Sequence, residues 1–212
     1  AEECFLYKML NRALRLLKTD VLVLLGFFIR DLHLQIEDLY RQQIHTFTKR
    51  IFNQYRGQFV SQSALEKLRN SRNGLISFNN FLSTSKSKTA AREFICGQPW
   101  DGRAPRVIFE MTIDPRQTSA VFADVSKISG YSTEEEILFC MNTVFRIGPV
   151  RLLDKEEQLY EVQLSLTTDD DRDLNALTLQ IEKEIRGETP WKRLGKLLIK
   201  LGEVKRAEEL YV

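Results

Sequence analysis

Arg56 stands immediately before Gly57, where a helical pattern gives way to a strand-like one. A guanidinium offers a rigid fork of donors that matches phosphate oxygens, and a glycine beside it lets a ligand approach the backbone. A second cluster, Ser83-Thr84-Ser85, follows the apolar pair Phe81-Leu82. Hydroxyls placed there can bond a ligand hydroxyl or a carboxylate. A third stretch carries Tyr131, Glu134, Glu135 and Glu136 and runs directly into Ile137-Leu138-Phe139. If the strand period extends back through the glutamates, Glu134 and Glu136 share one face and Glu135 takes the other. Two carboxylates side by side repel each other and separate their pKa values. One can then stabilise a developing positive charge while the other accepts a proton. Each segment alone has a plainer reading: a surface arginine beside a turn glycine, a hydroxyl-rich cap, or a solvated acidic turn.

The elements that must position these residues are legible from periodicity. Phe5, Leu6, Met9, Leu10, Ala13, Leu14 and Leu17 recur at helical spacing, as do Ile36, Leu39, Tyr40, Ile44, Phe47 and Ile51. Val21 to Ile29 is the longest apolar run; it is half the length a membrane span needs and is expected to be buried core. Ser63 to Glu66 fits a capping box opening a short helix. Residues 74–78 read as a strand, and 89–94 as another short helix. Strands are then expected over 106–113, 137–141 and 144–147. In the stretch 159–166, Tyr160, Val162, Leu164 and Leu166 alternate with Glu161, Gln163 and Ser165. Asp169 to Asp173 is a charged break without the glycine and glutamate of a calcium loop. An amphipathic helix over 174–185 follows.

Composition narrows the function classes. Lys plus Arg is 31 against 29 Asp plus Glu, for a net charge of +2 in 212 residues. That balance lacks the basic excess of a nucleic-acid binder, and no membrane partner is expected. Cys4, Cys96 and Cys140 are widely separated and far from His33 and His45, so neither a zinc site nor a disulfide framework is expected. The sparse, odd cysteine count points to a reducing, cytoplasmic setting; secretion stays open because the chain begins at Ala1 and not at an initiator Met. No Rossmann glycine motif follows a strand, so a dinucleotide would not bind as it does in dehydrogenases.

Taken together and in this order, Tyr55-Arg56-Gly57, Phe81-Leu82-Ser83-Thr84-Ser85 and Glu134-Glu135-Glu136-Ile137-Leu138 resemble the mono-ADP-ribosyltransferases of the arginine–serine–glutamate class, shared by clostridial-type toxins and vertebrate ecto-transferases. The resemblance covers residues 50 to 168. It implies an α+β fold with N-terminal helices and two facing, mainly antiparallel sheets around an NAD cleft. It further implies that ADP-ribose moves from NAD to an arginine of a protein substrate, with release of nicotinamide and no metal. Arg56 would anchor the pyrophosphate side and Gly57 would offer backbone groups to the nicotinamide amide. Ser83 would hold the ribose and orient the catalytic carboxylate, with Thr84 and Ser85 shaping that strand. Phe94 would stack on the nicotinamide ring. Glu136 would stabilise the oxocarbenium-like state, Glu134 would orient the acceptor guanidinium and help remove its proton, and Tyr131 would contact the protein substrate. The competing readings are an NAD glycohydrolase, in which water is the acceptor, and an inactive transferase-like domain in an interaction scaffold.

The tail also resembles a known unit. Trp191, Leu194, Gly195, Leu198, Gly202, Ala207 and Tyr211 follow the spacing of a tetratricopeptide repeat. One repeat cannot bury its own apolar face, so this reads as the first unit of a longer array that would bind a protein partner. The organisation expected is therefore a helical region over 1–50, a catalytic core over 51–168, and a linker helix with a truncated repeat over 169–212.

Overall fold

The computed structural model describes residues 5–15, 19–47, 50–118, 120–126, 135–185, 189, 192–193, 195–196, 199 and 207–208. Two compact units make up the chain, Ala1–Asp169 and Asp170–Val212. The first begins with α1 (Phe5–Arg15), α2 (Thr19–Leu24) and α3 (Gly26–Phe47). It continues through β1 (Phe52–Phe59), α4 (Gln62–Asn70), β2 (Leu75–Ser77), β3 (Leu82–Ser85), α5 (Lys88–Cys96), β4 (Arg106–Ile113), β5 (Phe122–Asp124), β6 (Glu136–Phe139), β7 (Val144–Asp154) and β8 (Leu159–Leu166).

The eight strands form one hydrogen-bonded order, β2-β7-β8-β4-β1-β3-β6-β5. Among the described strands only β4 and β8 run parallel. The two expected sheets are therefore halves of a single sheet, five strands and three, joined where β1 meets β3. That joint is one residue pair, Tyr55 opposite Ser85, whereas β1 pairs with β4 along its whole length. So weak a seam lets the halves fold towards each other. Phe109 and Met111 of β4, Phe145 of β7 and Val162 and Leu164 of β8 pack with Leu82 of β3, Phe122 of β5 and Ile137 and Phe139 of β6 in one core. Phe139 and Phe145 meet edge to face across it, with ring centroids 5.9 Å apart.

The outer faces are covered differently. Leu10 and Leu14 of α1, Leu25 between α2 and α3, and Ile36 of α3 close over Phe81, Ala123, Leu138 and Cys140 of the three-stranded half. On the five-stranded half, Ile95 of α5 packs on Ile108 and Leu159. Alternation along β8 sends Val162 and Leu164 into the core and Glu161 to the α5 side.

Three local expectations are corrected. The N-cap of α4 is Ser61, not Ser63: its side chain accepts the Ala64 N–H at 3.1 Å, and Ser63 Oγ sits 3.0 Å from Ser61 Oγ. The run Val21–Ile29 is not wholly buried. Leu25 is, but Leu24 and Phe27 are 74% and 68% exposed: the run is divided between the end of α2 and the start of α3, and only part of each turns inward. The third correction concerns the acidic run. β6 begins at Glu136 and leaves Glu135 outside it, so the strand period expected through the acidic run stops there, and Glu134 lies outside the described residues.

In the second unit α6 spans Arg172–Ile185, one residue past Asp171, whose carboxylate accepts the backbone N–H groups of Asp173 and Leu174. Gly195 and Ala207, two small positions of the repeat pattern, are buried. Trp191, Leu194, Leu198, Gly202 and Tyr211 lie outside the described residues. Among the described residues no helix is long and apolar enough to cross a membrane.

Candidate active site

The seam between β1 and β3 opens into a cleft. Antiparallel pairing at Tyr55–Ser85 would continue to Arg56–Thr84 and Gly57–Ser83, but the strands diverge after the first pair. The gap is lined by Tyr55, Arg56, Gly57, Ser83, Glu136 and Phe94, with Thr84, Ser85, Ala90 and Ala91 completing it; it holds a cavity of about 130 Å³ that opens to solvent.

Arg56 spans the gap. Its Nη1 donates to the Ser83 carbonyl at 2.7 Å and its Nε to Gln58 Oε1 at 3.3 Å. Ser83 then donates its hydroxyl to Glu136 Oε1 at 2.5 Å. Three residues 27 and 53 positions apart thus form one hydrogen-bonded chain across the cleft.

The neighbours of Ser83 face elsewhere. Thr84 is buried and its hydroxyl bonds the Ile137 carbonyl at 2.8 Å and Gln54 Oε1 at 3.1 Å, stitching β3 to β6 and β1. Ser85 Oγ accepts the Ser87 N–H at 3.1 Å and turns the chain into α5. Ser87 in turn caps α5 by accepting the Ala90 N–H. This helix carries Phe94 to the cleft, half exposed.

Gly57 has a packing reason to be glycine. A Cβ there would sit 2.3 Å from the Ala91 carbonyl oxygen and 2.8 Å from the Ile95 Cβ. Its bare backbone lets α5 lie directly on β1, which places Ala90, Ala91 and Phe94 along the cleft.

Tyr131 and Glu134 lie outside the described residues. The chain on either side of them is held. Lys86 N–H donates to the Glu135 carbonyl at 3.1 Å, and Val125 N–H to the Glu136 carbonyl at 3.0 Å.

Several polar residues around the site escaped sequence reasoning. Glu161 sits in the polar stripe of β8, where solvent was the natural expectation, yet it is only 3% exposed. Lys88 of α5 pairs with it and with Glu110 of β4 at 3.2 Å, and its ammonium lies 6.0 Å from the Tyr55 ring centroid. The hydrogen bond to Glu161 is the main cause of a raised Lys88 pKa; burial opposes it, and the Glu110 bond adds to it. Gln43, Asp124 and Ser126 were likewise missed. Asp124 and Ser126 bond each other two residues apart, but what links them to Glu136 and Gln43 lies on other parts of the chain, where no local signal reaches.

A family model for the ADP-ribosyltransferase exoenzyme matches residues 34–170. Solved structures agree. Vis, an ADP-ribosyltransferase toxin from Vibrio splendidus solved with an inhibitor, is 25% identical with a TM-score of 0.55 over 78% of this chain and 68% of that one. It has also been solved with agmatine, matching at 23% identity and a TM-score of 0.54 over 79% of this chain and 71% of that one. Exoenzyme S from Pseudomonas aeruginosa, solved with human 14-3-3 protein beta and carba-NAD, is 19% identical with a TM-score of 0.50 over 82% and 76% of the two chains. Among curated proteins nothing matches. The seam cleft on a mainly antiparallel sheet defines the class as an ADP-ribosyltransferase fold. The chain belongs to the ADP-ribosyltransferase exoenzyme family, whose substrate is NAD.

Proposed function

We propose that this chain is a mono-ADP-ribosyltransferase that transfers ADP-ribose from NAD to an arginine side chain of a protein. The observation that carries the reading is the chain Arg56–Ser83–Glu136 across the cleft. Arg56 lines the cleft, and its guanidinium is the group suited to the pyrophosphate. Ser83 holds the Glu136 carboxylate at one oxygen and leaves the other for the ribose. Glu136 stabilises the positive charge that grows on the ribose as the bond to nicotinamide breaks. Phe94 offers an aromatic face for the nicotinamide ring. Thr84 and Ser85 keep β3 in register beneath it.

Arginine is proposed as the acceptor because Glu134 stands two residues before Glu136. A guanidinium is a poor nucleophile while protonated, and a second carboxylate can orient it and draw off a proton. Agmatine, which Vis has been solved with, carries that same guanidinium group. Tyr131 is proposed to touch the protein substrate. Gly195 and Ala207, small and buried, support a helical repeat in the second unit that engages a protein partner.

The test is labelled-NAD transfer to agmatine or an arginine protein, run beside nicotinamide release. In Glu134→Gln, labelling should fall far more than release, since water needs no proton removed by that carboxylate. Equal losses would assign Glu134 to NAD cleavage itself. Release without any labelling in the parent chain would favour the glycohydrolase reading, and neither activity would favour a scaffold.

A further inference from the structure

The backbone of Glu136 is held by Ser126, behind which stand Asp124 at the end of β5, Lys86 just after β3 and Gln43 of α3. The Glu136 N–H donates to Ser126 Oγ at 3.1 Å. Ser126 spends its own proton on Asp124 Oδ1, which also accepts the Ser126 backbone N–H at 3.0 Å. The other oxygen, Asp124 Oδ2, takes the Lys86 ammonium at 2.9 Å. Gln43 of α3 then grips the backbone of Asp124 in both directions: its Nε2 donates to the Asp124 carbonyl at 3.0 Å and its Oε1 accepts the Asp124 N–H at 2.8 Å. β5 is an edge strand of the sheet, so the Gln43 amide stands in for the strand that is missing there.

The polarity of this set is forced. Burial would raise the Asp124 pKa, but the bonds from Ser126 and Lys86 outweigh it and hold the carboxyl below its ordinary range. An ionised carboxylate only accepts. The Ser126 hydroxyl must therefore point its proton at Asp124 and its lone pair at the Glu136 N–H. Any reversal would leave that N–H facing another donor.

We infer that Asp124 and Ser126 are positioning residues for Glu136, and that Gln43 ties the N-terminal helices to them. The inference rests on the reading of Glu136 as the residue that meets the ribose. Its consequence is geometric. A carboxylate aimed to within a few tenths of an ångström gains rate only if its own backbone cannot drift. Ser83 fixes one end of the Glu136 side chain, and the Ser126–Asp124 pair fixes the other end at the main chain. The Glu136 main chain makes a second bond beside this one, its carbonyl accepting the Val125 N–H at 3.0 Å.

Full-length Ser126→Ala, Ser126→Thr, Asp124→Asn and Gln43→Leu test this with two readouts. The first is hydrogen exchange of the Glu136 backbone amide, followed by NMR. The second is kcat and KM for nicotinamide release from NAD. Ser126→Ala should lower protection of that amide at least about tenfold and lower kcat by about tenfold while KM for NAD stays within about twofold. Ser126→Thr keeps the hydroxyl and should restore both. Asp124→Asn should follow Ser126→Ala, and Gln43→Leu should lie between them and the parent; Asp124→Asn serves if Ser126→Ala does not fold. The inference is overturned if the Ser126→Ala amide and kcat match the parent, or if Ser126→Thr rescues neither. Amide exchange needs no turnover. A parent chain that fails to cleave NAD would sink the activity reading alone, and the exchange data would still decide the positioning role.

Discussion

Two glutamates on the strands of one sheet, Glu136 and Glu161, have been given opposite surroundings. Glu161 is 3% exposed and neutralised by the Lys88 ammonium, which also reaches Glu110. Glu136 lies at the cleft and accepts only a hydroxyl, from Ser83; among the described residues no cation pairs with it. Even Arg56, within reach of Ser83, directs a donor to the Ser83 carbonyl. A buried carboxylate that holds helix to sheet needs a counter-charge, because an unpaired buried charge is expensive. A carboxylate meant to stabilise a cation that appears only during reaction must keep its charge uncommitted until then.

If that contrast is right, the two carboxylates separate cleanly under mutation. Glu136→Gln should cut nicotinamide release by about 10² to 10³ with the unfolding midpoint unchanged. Near-parental release would move the chemistry to another carboxylate. Lys88→Met should be next in size. It strands Glu161 without its cation and should cost about 2 kcal/mol of stability in urea unfolding, while nicotinamide release per folded molecule stays within about threefold. Ser83→Ala should slow release about tenfold and leave stability nearly untouched, since a half-buried cleft admits water in place of the hydroxyl. Glu161→Gln is the mildest, at about 1 kcal/mol of stability, because Glu110 still holds Lys88. A rate loss in Glu161→Gln as deep as that of Glu136→Gln would erase the contrast.

The pH dependence sharpens it further. Lys88 has its pKa raised in the folded chain, so its contribution is fully present below the ordinary lysine value of about 10.4 and disappears as pH rises through the folded value above it. The stability gap between the parent and Lys88→Met should stay flat from neutral pH and narrow only in strong alkali. A gap that closed near neutrality would show that the Lys88 charge is not what holds α5.

Much of the fold follows from patterns that are local. Apolar residues recurring every two or every three to four positions mark strands and helices wherever they later pack, which is why β4, β8 and α5 stand near their expected positions. The three segments carrying Arg56, Ser83 and Glu136 were recognisable by residue type and order. Less was legible where a residue's neighbours come from far away. Ser63 is the better cap on paper, with Glu66 three residues on, and only the path of the chain out of β1 chose Ser61. Glu161 reads as solvated because alternation reports which residues share a face, not what covers that face.

The sequence by itself determined the strand and helix types and the order and residue types of the three segments that line the cleft, since each of these depends on a few neighbouring residues. Tertiary structure alone decided the rest. It parted β1 from β3 after one pair to make the cleft, and it turned Gly57 into the seat of α5. It also assigned Glu161 to Lys88, and enlisted Gln43, Asp124 and Ser126 behind Glu136. The physical reason is that a hydrogen bond or ion pair is a property of two groups at a set distance. For these residues the partner stands tens of positions away, as with Gln43 and Asp124, 81 residues apart, where no local pattern reaches.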